Sequence, residues 1–211
     1  MLYKYINMVL RNDADAVDSL CLQGEPMEIR ARNFRVLLKT MGIEDAAGIA
    51  DNANDPEITR NVARFGEFPF PYTEEHALSF ISSLREKQAN GTESHFSITL
   101  DNKIIGACAL MGIDSKTKRA ELGYWLGRRY WGMGYAKEAL TLLLGFGFGR
   151  LDLSRIAART FKSNERSIRL LNSIGFSKDE SICDAMRDDE LEYIIDKRDY
   201  SDPAGLEAVG E

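Results

Sequence analysis

Residues 119–144 read RAELGYWLGRRYWGMGYAKEALTLLL, and this stretch decides the fold. Residues 120–126 have strand character, a turn rich in Gly and Arg follows at 127–134, and the apolar run 135–144 predicts a buried helix. The first N–H groups of a helix have no partner within it, and a helix N-terminus carries about half a unit of positive charge. A strand, glycine turn and helix in this order therefore predict a site for a pyrophosphate.

The spacing of the glycines excludes two common nucleotide-binding motifs. The chain has no P-loop sequence, and Lys137 stands where a Rossmann fingerprint requires its third glycine. The pattern that fits is Arg-x-x-Gly-x-Gly, filled by Arg129, Gly132 and Gly134. Glycines let a phosphate approach the backbone closely, and Arg129 adds a forked cation. The alternative is an ordinary strand–helix connection with a flexible loop.

Arg-x-x-Gly-x-Gly resembles the acetyl-CoA-binding motif of the GNAT superfamily of acyltransferases. The segments ELGYWL, YWGMGYAKEAL and NERSIRLLNSIGF, the last from Asn164 to Phe176, resemble the branch of ribosomal-protein N-terminal acetyltransferases (RimJ/RimL type). The resemblance implies an α/β (α+β) fold, with a mixed, mostly antiparallel sheet and a central βαβ cofactor site flanked by helices. It implies acetyl transfer from acetyl-CoA to an amine, with no metal.

The composition of the chain limits the classes of protein to which it can belong. The chain has 211 residues, 44% of them hydrophobic, which suffices for one sizeable core. Its net charge of −6 argues against non-specific nucleic-acid binding. No apolar run approaches the roughly 18 residues of a membrane span. Cys21, Cys108 and Cys183 are too few and too widely spaced for a disulfide framework or a zinc site, and Cys108 is expected to be a buried apolar residue. We expect a cytoplasmic protein without a membrane or nucleic-acid partner.

The chain divides into three parts. Residues 1–27 form an N-terminal extension, 28–200 the acetyltransferase domain that the resemblance covers, and 201–211 an acidic C-terminal tail. The extension is interpreted as a contact in a homodimer, as a lid over the substrate, or as a peripheral segment, which we favour. The tail is expected to fray.

Periodicity and turn residues predict the order of the elements. The helix after the glycine turn is expected to fade at Gly145, Gly147 and Gly149, since each costs about 1 kcal/mol relative to Ala. The helix that begins at Glu165 is expected to stop at Gly175. Further helices are predicted to begin at Glu44, Pro56 and Thr73, and strands at 34–39, 95–100, 104–113, 155–160 and 191–196.

The resemblance also implies which residues hold the cofactor. The strand before the turn and the strand after the helix splay apart, and the pantetheine arm lies between them, with a backbone N–H near Leu126 facing the thioester oxygen. Asn164 contacts the arm, although an N-cap role is the alternative and both can coexist. The cofactor-binding set comprises Tyr124, Trp125, Leu126, Arg129, Gly132, Met133, Gly134, Tyr135, Ala136 and Asn164.

Two residues are candidates for the chemistry. Glu121 would bind the ammonium and relay its proton, provided that it faces the cleft with Gly123 and Trp125; a structural ion pair with Arg119 or Arg155 is the alternative. By resemblance, Ser167 contacts the cofactor arm and protonates the departing thiolate. Leu171 stands where other GNAT enzymes place a tyrosine acid. The only histidines, His76 and His95, are interpreted as structural.

The acceptor follows less directly from the sequence. The Pro-stiffened aromatic segment 68–72 is either a wall of the acceptor site or core packing, and the loops 66–72 and 184–190 are expected to set specificity. The resemblance favours a protein N-terminal α-amine, attacked directly in a ternary complex. The alternatives are a small amine (polyamine, amino sugar or amino acid) and a non-catalytic acyl-CoA-binding sensor.

Overall fold

The computed structural model of the protein describes residues 27–62, 68–181 and 189–201. The interpretations of residues 1–26 as an extension and of the tail beyond residue 201 lie outside them. So do residues 66–67 and 184–188 of the two loops expected to set acceptor specificity. Within the described part of the chain, no helix has the length and apolar character to cross a membrane. The cytoplasmic location stays a prediction.

The described residues form an eight-stranded sheet in the order β1-β2-β3-β4-β5-β6-β8-β7. Neighbouring strands run antiparallel except β5 and β6, which are parallel and joined through a helix. This mixed sheet with its central βαβ crossover confirms the predicted fold. The strands are β1 (Glu28–Ile29), β2 (Val36–Thr40), β3 (Ser94–Leu100), β4 (Lys103–Asp114), β5 (Arg119–Leu126), β6 (Arg155–Phe161), β7 (Ser177–Lys178) and β8 (Glu190–Asp196).

Helices cover both faces of the sheet. The helices are α1 (Ala46–Ala53), α2 (Pro56–Val62), α3 (Glu74–Ala89), α4 (Tyr135–Gly145) and α5 (Glu165–Ser173). The main core joins α4 and α5 to one face, and a second core joins α1 and α3 to the other. The four leucines of α4 are fully buried, as a helix apolar on all sides must be. Each contributes about 1.5–3 kcal/mol through burial.

The glycine-rich segment GFGFG after the helix differs from the prediction. The chain does not leave the helix there but continues as a π-helical turn, Phe146–Arg150. Phe146 and Phe148 are each 2% exposed, and a Cβ on Gly147 would lie 2.8 Å from the Ile156 side chain. Glycine therefore allows the wide turn to approach β6 closely, and burial of the phenylalanines outweighs the poor helix propensity.

Both histidines stabilise local structure, as predicted. The hydroxyl of Thr73 accepts from the N–H of His76 at 3.4 Å, and the Nδ1 of His76 accepts from the N–H of Thr73 at 3.1 Å. His76 thus closes a capping box at the start of α3. His95 is buried in β3 with its Nε2 2.7 Å from Glu93, and its ring meets the edge of Phe80.

Candidate active site

The parallel strands β5 and β6 part halfway along their length. Their pairing ends at Leu122 and Ala158. Beyond that point β5 remains paired with β4 as far as Leu126, and β6 remains paired with β8 as far as Phe161. A cleft of about 460 Å³ opens between the two strands and extends to the glycine turn. The splay that the resemblance implied is therefore a feature of this chain.

The glycine turn presents backbone N–H groups to this cleft. Gly132 and Gly134 have φ of +76° and +86°, in the left-handed region that favours glycine. Gly134 is the N-cap of α4, and the helix makes its first bond from the N–H of Glu138 to the carbonyl of Gly134. The N–H groups of the three intervening residues therefore have no acceptor within the helix. Gly132, Gly134, Ala136 and Lys137 line the cleft, so the turn can bind an anion.

Arg35, which lies just before β2, holds the outer side of this turn. Its guanidinium donates to the carbonyl oxygen of Met133 at 2.9 Å and to the carboxylate of Glu138 at 2.8 Å. It also lies over the ring of Tyr135, 4.5 Å from the centroid. Met133 is 51% exposed, so its backbone carries the contact that matters to the turn. Sequence reasoning did not find Arg35, because the contact joins residues about one hundred positions apart.

Arg129 does not reach the cleft with its side chain. Its guanidinium pairs with Asp51 of α1 and lies 5.7 Å from the ring centroid of Tyr130. Arg166 lines this part of the cleft, as does Lys137, and its guanidinium stacks on Trp131 at 4.8 Å. Arg129 therefore fastens the turn to α1, and Arg166 is placed to meet an anion.

Trp131 fixes the point where β5 enters the turn. Its indole Nε1 donates to the carbonyl oxygen of Leu126 at 2.8 Å. The N–H of Gly127 donates to Ile105 of β4, and successive residues of a strand point their backbone groups to opposite sides. The N–H of Leu126 therefore faces the gap between β5 and β6, and its contact with a thioester oxygen stays a prediction.

Tyr124 and Trp125 line opposite sides of the same cleft. Tyr124 packs toward the main core, whereas Trp125 packs against the second core. Phe68 lies edge-on to Trp125 at 6.4 Å and stacks on Tyr72 at 4.7 Å. Tyr72 is buried and Phe70 is 54% exposed, so segment 68–72 combines core packing with aromatic surface beside the cleft.

Asn164 and Ser167 stand together at the start of α5. The Oδ1 of Asn164 accepts from the N–H of Ser167 at 3.1 Å, which is the N-cap contact expected as its alternative role. Both residues also line the cleft, so the two roles of Asn164 are compatible. The hydroxyl of Tyr124 donates to Ser167 Oγ at 2.9 Å. Leu171 lines the cleft one turn further along, where it is fully buried.

Glu121 lies just before the point where β5 and β6 part. Its carboxylate is 3.9 Å from the guanidinium of Arg159, which lines the cleft, so Glu121 makes an ion pair with an arginine that the sequence analysis did not name. The reason is register: Glu121 lies opposite Ala157, and Arg159 follows two residues later on the same face. Gly123 and Trp125 line the cleft, whereas Glu121 is not part of its lining and reaches it through Arg159.

Arg159 interacts electrostatically with three carboxylates. It pairs with Glu192 of β8, and the charges of Glu121 and Glu190 also act on it. Burial lowers the pKa of the Arg159 guanidinium, but the hydrogen bond to Glu192 and the three negative charges outweigh burial and raise it. Arg159 is therefore a permanent cation that ties Glu121 to the sheet.

Sequence reasoning also missed one wall of the cleft. Ile58, Asn61 and Val62 of α2 contribute to the lining. They lie far from the motif in sequence, and a short amphipathic helix gives no sign of what its apolar side covers. Arg166 could have been predicted from the sequence, because it lies two residues after Asn164 in the recognised segment NERSIRLL.

The comparisons with known proteins agree with this geometry. The family described as acetyltransferase (GNAT) domain matches residues 35–177. An uncharacterised N-acetyltransferase of Bacillus licheniformis is 36% identical over 154 residues, which cover 71% of this chain and 83% of that protein. YdaF of Bacillus subtilis, whose proposed activity is ribosomal N-acetylation, is 25% identical over 180 residues, covering 80% and 94%. The spermidine N(1)-acetyltransferase of Escherichia coli is 30% identical over 111 residues, covering 52% and 58%.

The fold has close counterparts among solved structures. A ribosomal-protein α-N-acetyltransferase (RimL) in complex with coenzyme A superposes with a TM-score of 0.71 at 16% identity, covering 80% of this chain and 97% of that one. Among the described residues, no group of three His, Cys, Asp or Glu side chains could hold a metal ion. The chain belongs to the GNAT acetyltransferase family and is an acetyl-CoA-dependent N-acetyltransferase.

Proposed function

We propose that the acceptor is the α-amine of a protein N-terminus, acetylated by direct attack in a ternary complex. The observation that carries the proposal is the charge of the cleft. The cleft is lined by four cations, Lys137, Arg159, Arg166 and Arg169, and by no carboxylate among the described residues. Such a lining suits the polyanionic cofactor. It would repel a polyamine, which needs several accessible carboxylates.

Glu121 is the proposed site for the ammonium of the acceptor. It is the carboxylate at the end of the gap, and its side chain is 25% exposed. The carboxylates of Glu121, Glu190 and Glu192 all act on the guanidinium of Arg159, so negative charge is concentrated at this end. This charge would attract one protonated amine, and Glu121 would receive its proton directly or through water.

Backbone groups and Ser167 complete the proposed chemistry. The alternation of β5 points the N–H groups of Tyr124 and Leu126 into the gap, where they can donate to the pantetheine amides and to the thioester oxygen. The turn at Gly132 and Gly134, with Arg166 beside it, would hold the pyrophosphate. Acetyl-CoA supplies the activated acetyl group, and Ser167 would donate to the sulfur that leaves.

A small amine is the second candidate acceptor, because the spermidine acetyltransferase is a relative. That match covers 58% of the relative, whereas the match to YdaF covers 94% of a protein proposed to act on a ribosomal protein. The longer match extends over more of the domain than the match to the spermidine acetyltransferase does. We therefore rank the protein N-terminus first. We assign the transferase to residues 28–200.

The test is an acetylation assay with three acceptors: a peptide with a free N-terminus, the same peptide with a blocked N-terminus, and spermidine. We expect turnover with the first alone. Glu121→Gln should lower kcat by about 100-fold without changing acetyl-CoA affinity, and Glu86→Gln, on the exposed side of α3, serves as the matched control. Faster turnover of spermidine would overturn the peptide proposal, and binding of acetyl-CoA without turnover of any amine would indicate a sensor.

A further inference from the structure

Tyr124 and Ser167 form a hydroxyl pair in the lining of the cleft. Tyr124 lies in the parted half of β5, and Ser167 lies in the first turn of α5. The Tyr124 hydroxyl donates to Ser167 Oγ at 2.9 Å, and both side chains line the cleft. The bond thus joins two elements that line the cleft in which the pantetheine arm is expected to lie.

The geometry constrains where the Ser167 proton can go. A serine hydroxyl has one proton and two lone pairs. Tyr124 occupies one lone pair by donating to it, and the Ser167 side chain is held in place because its residue is 8% exposed and its N–H is bonded to Asn164. With Tyr124 as the donor, the Ser167 proton points away from Tyr124, toward another acceptor. Without the phenol, the same hydroxyl could rotate freely.

We propose that Tyr124 is a positioning residue that aims the Ser167 hydroxyl at the sulfur of acetyl-CoA. The inference rests on the role proposed above for Ser167 and deepens it. Leu171 stands at the helix position where other GNAT enzymes are expected to have a tyrosine acid. In this chain the phenol near the leaving sulfur would instead come from β5, as Tyr124. Its part is to fix a direction, and it does not itself touch the reacting atoms.

The pKa values of the two hydroxyls determine whether they can protonate the leaving thiolate. Burial raises the pKa of Tyr124 to about 12, with the bond to Ser167 acting in the opposite direction. An ordinary thiol has a pKa of about 8.5, so a thiolate cannot take the proton of either hydroxyl outright. When the C–S bond breaks, the electron pair goes to sulfur and Ser167 stabilises it by a hydrogen bond. The amine nitrogen forms the N–C bond that replaces the C–S bond and loses two protons to water, one of them through Glu121, while the thiolate takes one proton from water.

The experiment measures the thiol pKa of bound CoA from the ultraviolet absorbance of the thiolate as the pH is varied. In the wild type the bound thiol should have a pKa about one unit below that of free CoA, as one charge-assisted hydrogen bond would give. Ser167→Ala should abolish the difference, and Tyr124→Phe should remove at least half of it. Ser167→Thr, which keeps a hydroxyl, should restore most of it.

The matched control is Tyr193→Phe. Tyr193 is a buried tyrosine of the main core, at 5% exposure, and Tyr124 is a partly buried residue that packs against that core; Tyr193 lies in β8 and does not line the cleft. Tyr124→Phe should lower kcat about tenfold with the KM for acetyl-CoA unchanged, whereas Tyr193→Phe should leave both unchanged. Thermal unfolding of each variant checks the fold.

Three results would overturn the proposal. One is a bound-thiol pKa in Tyr124→Phe equal to that of the wild type. Another is an equal loss in Tyr124→Phe and Tyr193→Phe, which would mean a packing effect. The third is loss of CoA binding in folded Tyr124→Phe, because a residue that only orients Ser167 is not needed for affinity. A normal pKa difference in a protein that acetylates no peptide would contradict the proposed acceptor and leave this inference standing.

Discussion

Gly134 is required both for its backbone conformation and for the space beside it. Its φ of +86° is costly for any other residue, and a Cβ there would lie 3.2 Å from the Arg35 guanidinium that holds the turn. We expect Gly134→Ala to cost about 1–2 kcal/mol of stability and to weaken acetyl-CoA binding about tenfold, measured by calorimetry. Gly112→Ala is the matched control, because Gly112 has φ of +57° with open space around it and lies away from the cleft. Equal affinities in the two variants would contradict the role of the turn.

Cys108 illustrates how burial controls reactivity at the scale of one side chain. It is 2% exposed in β4, and burial raises the pKa of its thiol far above the ordinary value. We expect Cys108 to resist alkylation in the native protein, even at mildly alkaline pH, and to react fully once urea unfolds the chain. Mass spectrometry of the peptide that contains it gives the readout. Rapid native labelling would show that β4 opens locally.

Asp45 joins elements that meet at the start of α1. Its carboxylate accepts from the Ser97 hydroxyl of β3 at 2.7 Å and from the N–H of Gly42 at 3.1 Å, and it pairs with Lys39 of β2 at 3.0 Å. The residue is 3% exposed, so its removal leaves buried polar groups without a partner. We expect Asp45→Ala to lower the free energy of unfolding by about 3–5 kcal/mol, measured by urea denaturation.

Glu44 supplies the control for that element. It pairs with the same Lys39 at the same distance of 3.0 Å, but its side chain is 61% exposed. Because exposed ion pairs contribute little, Glu44→Ala should cost less than about 1 kcal/mol. Similar losses in Asp45→Ala and Glu44→Ala would mean that Lys39 charge pairing, rather than the buried hydrogen bonds, secures α1 to the sheet.

The whole molecule should become more stable when the gap in the sheet is filled. Acetyl-CoA at one hundred times its Kd adds about 2.7 kcal/mol, which corresponds to a rise in Tm of roughly 5–10 °C for a chain of this size. Gly134→Trp, which should block the phosphate turn, should show no rise. Hydrogen exchange should slow in β5, in the glycine turn and at the start of α5. Equal stabilisation of the wild type and Gly134→Trp would place the cofactor elsewhere.

Features of the fold and site that depend on residues close together in sequence could be predicted, and those that depend on distant residues could not. The glycine turn, the N-cap at Asn164, the stop at Gly175 (φ +96°) and the parallel crossover were predictable, because local sequence determines each of them. The direction of the Arg129 side chain was not, since Asp51 lies on a helix far away in sequence. Register likewise decided that Glu121 meets Arg159, and register is invisible to single-strand periodicity.

The parting of β5 and β6 leaves two strand edges inside the protein rather than at its rim. An unpaired edge ordinarily invites another strand, but this one lies between helices and is only a few residues long, from Gly123 to Leu126. A full β-strand does not fit such an opening, whereas a thin chain with well-spaced amides does. Inhibitors that imitate a short extended dipeptide, without the nucleotide, would therefore form hydrogen bonds with this interior edge. Their selectivity would depend on the hydroxyl and indole groups that flank it.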